Sequence, residues 1–192
     1  MCNRLGAFAL ATLLALGLAG CGNDEPSAKP SPAATPSATV PPGFTATEPE
    51  KPAGQADNTQ SAVAYGRYFA GVVQYAVRTR SIRPVAAETF DQAQCASCRQ
   101  LGTFVDDLVS GGYWEVGGDL DVGRLRATRL GSGVRVAGAF VYPEARYVEV
   151  DGATKGQVSA KNYRYTLDLT WDRPNGRWQV RDRVFKQLGP AG

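Results

Sequence analysis

The chain predicts an α+β domain, and three observations carry that reading. Tyr65, Tyr68, Phe69, Val72, Tyr75 and Ala76 recur at helical spacing. Beyond Gly112 the apolar period falls to two, clearest where Tyr163, Tyr165, Leu167, Leu169 and Trp171 alternate with polar residues. The turns between these alternating runs are short, and strands joined by short turns must be antiparallel because a parallel pair needs a long crossover. Helices followed by a meander pack together on one face of the sheet.

The first helix is expected over 61–78. Pro84 suits the opening turn of a short helix reaching Phe90, since its missing N–H costs nothing there. Asp91 with Gln94 three residues on forms a capping-box pattern. From there Cys98, Leu101, Val105, Leu108 and Val109 share a helical face, and Gly111-Gly112 ends it. Strands are expected over 125–130, from Val134 to Tyr142, over 147–150 and from Asn162 to Trp171. Pro174-Asn175-Gly176 then turns the chain into a last strand whose Trp178, Val180 and Val184 share a face.

Ahead of the domain, Arg4 precedes an apolar run from Leu5 to Gly20 that ends in Leu18-Ala19-Gly20-Cys21. A spanning helix needs ~20 apolar residues, so the run reads as a signal h-region. Its end resembles a bacterial lipobox, with Cys21 supplying the thiol that takes the lipid. Between Gly22 and about Gln60 the chain is rich in Pro, Ser, Ala and Thr, a composition that buries little apolar surface. The expected organisation is a lipoprotein signal peptide over 1–20, a lipidated Cys21 and disordered tether over 21–60, an α+β domain over 61–188 and a tail over 189–192. The location that follows is the extracytoplasmic face of the cell membrane, with acyl chains as the anchor.

Composition excludes several chemistries. The chain has no histidine, which removes Ser-His-Asp and Cys-His catalysis and every His-ligated metal site. A net charge of +3 is too mild to argue for nucleic acid. Neither a nucleotide fingerprint nor an EF-hand is present, and no cofactor or metal is expected. Cys95 and Cys98 are the cysteines of the domain. A structural disulfide is the favoured reading of the pair, ahead of a redox couple and half a metal site: four zinc ligands are not to hand, and the polar residues before Cys95 are no buried strand.

The aromatic Tyr68-Phe69, Tyr75-Ala76, Cys95-Ala96-Ser97-Cys98, the Gly111-Gly112 break and Gly117-Gly118 resemble a family of uncharacterised actinobacterial lipoproteins carrying a domain of unknown function. The resemblance spans about Ser61 to Leu188. Such sequences are similar in layout to the nuclear-transport-factor-2-like fold, which implies helices and a curved antiparallel sheet forming a cone. That fold hosts ligand binders, isomerases and partner-binding modules alike.

Within such a layout Asp182 is the candidate catalytic residue. Counting by two from Trp178 and Val180 puts it on the inward face, where a carboxylate is costly unless paired. In a ketosteroid-isomerase-like cone it would act as a base, with a tyrosine hydroxyl from Tyr68, Tyr113, Tyr142, Tyr163 or Tyr165 assisting. The alternative is an ion pair with a neighbouring arginine. Tyr68, Trp114, Tyr163, Tyr165 and Trp178 either line a cavity or fill a core. Arg124, Arg126, Arg129, Arg135, Lys161, Arg164, Arg177, Arg181 and Arg183 crowd the sheet half, which carries attraction to anionic lipid or wall polymer or else a solvated sheet face. The reading as a whole is a lipid-anchored, non-enzymatic module that binds a protein partner or envelope component. Its alternative is a small-molecule cone with isomerase-type chemistry through Asp182.

Overall fold

The structure, a computed structural model, describes residues 40–190. The expected signal peptide, Cys21 and the first part of the tether lie outside the described residues. Three helices lead: α1 (Thr59–Arg78), α2 (Arg83–Glu88) and α3 (Ala96–Ser110). Eight strands follow: β1 (Trp114–Gly117), β2 (Asp121–Val122), β3 (Arg126–Leu130), β4 (Gly133–Tyr142), β5 (Ala145–Val148), β6 (Thr154–Val158), β7 (Lys161–Asp172) and β8 (Arg177–Pro190). The class is α+β, with the helices packed against antiparallel sheets.

Each helix starts and stops for a local reason. Asn58 caps α1 by accepting the N–H of Ser61 at 2.8 Å. Past its end Arg80 adopts φ +52°, a left-handed conformation that costs a non-glycine residue. Its guanidinium lies 3.9 Å from the Trp114 ring, a cation–π contact that offsets the cost. The capping box expected at Asp91 is instead an isolated turn, its carboxylate accepting from the N–H groups of Ala93 and Gln94. The helix begins four residues later, capped by Cys95, whose sulfur accepts the N–H of Cys98 at 3.2 Å. Cys95 and Cys98 are disulfide-bonded and fully buried, so the bridge closes the first turn of α3.

The strands form two antiparallel sheets, β1-β5-β6 and β2-β4-β7-β8, with β3 also on β4. The register of β1 on β5 continues that of β2 on β4, β3 pairs with β4 one residue out of it, and β5 on β6 continues β4 on β7. The breaks between the two sheets, at 118–120, 143–144 and 159–160, therefore fall opposite one another. One face of the larger sheet receives α1, where Gly66 lets the helix approach closely: a Cβ there would meet Val136 Cγ1 at 2.9 Å. Tyr65, Phe69, Tyr165, Leu167, Leu169 and Trp178 fill the core between them.

Three expectations about boundaries and facing are corrected. First, the tether does not run to residue 60, because residues 40–58 pack on the domain. Phe44 sits edge-on to Trp114 at 4.8 Å, Lys51 pairs with Glu88 at 2.8 Å, and Gln55 accepts the backbone N–H of Trp178 at 2.9 Å. Second, the tail does not start at 189, because Gly189 and Pro190 pair with Asn162 and Lys161 in β8. Third, β7 and β8 slip register between Asp168 and Leu169, which leaves Arg181 as an extra residue. Such a bulge reverses the facing of everything beyond it. Val184, expected inside, is 53 % exposed, and Arg183, expected on a solvated face, is 5 % exposed.

Candidate functional site

The candidate site is a pocket of about 450 Å³ between α1, α3 and the sheet. Val73 and Val77 of α1 and Leu101 and Phe104 of α3 supply one wall. They arrive together because residues three and four apart share a helical face. The opposite wall is aromatic. Phe140 stacks on Tyr163 with centroids 5.1 Å apart and meets Phe185 edge-on at 5.2 Å, while Tyr142 lies edge-on to Tyr163. Interlocked rings of this kind hold their shape without a ligand.

Among the described residues, two cations and no carboxylate line this pocket: Arg183 from β8 and Lys161 from β7. The Arg183 guanidinium lies 4.7 Å from the Phe185 ring, and its Nη2 donates to the Ser97 carbonyl at 2.6 Å. Its buried Nε finds no acceptor among the described residues. Burial lowers the guanidinium's pKa to about 10, with Tyr165 and Asp182 acting in the other direction, so it stays cationic at neutral pH.

Glu115 lies behind the pocket wall, 2 % exposed, on the strand position facing Tyr147. One of its oxygens, Oε2, has no hydrogen-bond partner among the described residues. Burial pushes its carboxyl above the ordinary 4.5, against the opposing pull of the Tyr142 hydroxyl and Arg78. A carboxyl whose folded pKa is raised contributes stability in full below its unfolded pKa and loses it as pH rises through the folded one. Glu115→Gln, neutral throughout, is therefore expected to be more stable than the native chain near pH 8 and to match it near pH 4. Thermal unfolding at both pH values checks this. An advantage that is the same at both would show that the carboxyl titrates normally.

Asp182 is not in this pocket. Beside the bulge at Arg181 its half-buried carboxylate faces α3, accepting from Ser97 Oγ at 3.2 Å and from the backbone N–H of Arg183 at 2.9 Å. It lines a separate crevice with Phe90, Asp91, Leu130 and Arg181. It therefore does not stand with the pocket tyrosines that the expected base role would need. The expected aromatics divide. Tyr163 lines the pocket, whereas Tyr165 and Trp178 are fully buried core, donating to the Gly66 carbonyl and to Ser61 Oγ. Trp114 lies under Arg80 and Phe44. Tyr68 donates to Glu88 at 3.1 Å, away from the pocket. Of the basic residues, Arg129, Arg135 and Arg177 pair with Asp57, Asp168 and Asp172.

The sequence reading missed Arg183 as a pocket residue and missed Glu115 and Glu88 altogether. Strand alternation could have found Arg183 only with knowledge of the bulge. Glu115, in a four-residue strand, offers too short a pattern to read.

No family model matches the chain, and no curated protein matches it. Three solved structures are similar over much of its length. The intermembrane space region of the chloroplast protein ARC6 is 13% identical, covering 64% of this chain and 97% of that one, with a TM-score of 0.39. A calcium/calmodulin-dependent protein kinase II association domain, so described, from Xanthomonas campestris is 16% identical, covering 75% and 96%, with a TM-score of 0.39. A de novo designed β-sheet protein is 15% identical, covering 69% and 92%, with a TM-score of 0.35.

Proposed function

We propose that the protein is a lipid-anchored envelope protein whose domain binds a small apolar molecule. The observation that carries this reading is the pocket itself. Its volume of about 450 Å³ lies within the ~300–1,000 Å³ of ordinary small-molecule sites, and its walls are apolar with a few polar groups. A module that only docked a protein would need no such space behind its surface. The antiparallel sheets and the helices laid against them support the finer reading of a cone-like, nuclear-transport-factor-2-like domain.

The neutral fluorophore N-phenyl-1-naphthylamine tests the pocket. It is expected to bind at one site, and Leu120→Trp, at the pocket edge, is expected to weaken binding at least ~10-fold by filling the space. Absence of binding to the native chain, or indifference to the tryptophan, would remove the proposal. Anchoring rests on the Leu18-Ala19-Gly20-Cys21 signature and is tested separately. Cys21→Ser is expected to release the protein from the membrane fraction or leave it uncleaved, because serine cannot form the thioether. Metabolic acyl labelling that persists in the variant would show that the lipid sits elsewhere.

A further inference from the structure

We infer that the pocket takes an amphipathic oxyanion, an apolar or aromatic body ending in one carboxylate or phosphate that lands on Arg183. The inference rests on the pocket reading above and adds the charge of the ligand.

The argument starts from cost. Burying a lone cation is expensive, and natural sites retain one only where an anion or a set of acceptors compensates it. Arg183 is 95 % buried and has one protein acceptor, the Ser97 carbonyl. Among the described residues no carboxylate lies within ion-pair distance of it. The adjacent Asp182 is spent on Ser97 Oγ and on a backbone N–H. A role confined to holding the Ser97 carbonyl would be met by a neutral donor such as glutamine, without a buried charge. The planar guanidinium is fixed against the Phe185 ring at 4.7 Å, so its remaining N–H donors are held in place. Lys161 adds a second positive charge to the same lining, and among the described residues no acid opposes them there. The rest of the wall, Phe104, Phe140, Tyr163 and Phe185, suits an alkyl chain or ring. Together these features match a molecule that is apolar along its length and anionic at one end.

The test compares decanoate, decyl phosphate, decanol and decyltrimethylammonium by displacement of N-phenyl-1-naphthylamine from the native protein at neutral pH. Both anions are expected to bind at least ~10-fold more tightly than decanol, the gain of one charge-assisted hydrogen bond, and the ammonium more weakly still. In Arg183→Met the preference for anions is expected to fall to about one, with decanol affinity retained as the sign of an intact pocket, while Arg183→Lys keeps part of it. Decanol binding as tightly as decanoate to the native chain would overturn the inference and leave the pocket reading standing. Failure of all four ligands would remove both. A preference that survives unchanged in Arg183→Met would overturn the assignment to Arg183. The comparison in the native chain decides by itself if the variant does not fold.

Discussion

Deleting residues 40–57 is expected to lower the thermal midpoint by roughly 10 °C or more, the equivalent of at least ~3 kcal/mol in a domain of this size. The composition of the segment argues for the opposite, since Pro, Ala, Ser and Thr make weak cores. Its contacts decide otherwise. Phe44, half-buried, meets Trp114 edge-on, a pair worth about 1 kcal/mol. Pro49 lies so close to α1 that a Cβ on Gly71 would meet its ring at 3.1 Å. Gln55 satisfies the N–H of Trp178, Asp57 pairs with Arg129, and Lys51 supplies the only cation against the buried Glu88 among the described residues. Retaining Asn58 in the variant preserves the α1 cap, so any loss belongs to the segment. An unchanged midpoint would show that it does not dock in solution.

The same contrast explains what a reader of the sequence can and cannot obtain. The helix at Thr59–Arg78 and the strand at Lys161–Asp172 were legible because each buries one face over many residues, and a long period averages out local exceptions. Facing within β8 was not. One extra residue, Arg181, carries no compositional mark, yet it exchanges the inner and outer sets beyond it. Val184 thereby left the interior and Arg183 entered it. β6, reading Thr-Lys-Gly-Gln-Val, has almost no apolar residue to betray it and is held by pairing with β5. The docked arm was hidden for a related reason: its contacts are single residues against distant partners, which no window along the chain contains. Charge told least of all. Arginines that read as one basic surface divide in space into exposed ion pairs and a buried cation facing a pocket.

Replacing Glu88 is expected to produce the largest loss of any single substitution discussed. The residue ends a six-residue helix, where a glutamate ordinarily points to solvent, yet it is 7 % exposed. Three side chains converge on it: Tyr65 donates at 2.8 Å, Tyr68 at 3.1 Å, and Lys51 reaches both oxygens at 2.8 Å. Desolvation first, and then the Glu88 charge, push both tyrosines well above their ordinary pKa, so their hydroxyls remain donors at any accessible pH. The carboxylate joins α1, α2 and the docked arm at one point. Glu88→Leu fills the same space but leaves the buried Tyr65 hydroxyl only the residue's own backbone carbonyl at 3.4 Å, and leaves Lys51 without its partner. Hydrogen bonds to a charged group are worth ~1.5–3 kcal/mol each, so a total loss of about 3 kcal/mol, or roughly 10 °C, is expected. Glu88→Gln keeps an acceptor for one tyrosine while losing the ion pair, and it should fall between the two. Because Lys51 and Glu88 share one interaction, their losses cannot add. The double variant Lys51→Met with Glu88→Leu should cost clearly less than the sum of the single losses. Strict additivity in that cycle would mean that the arm and the helix pair are held together elsewhere.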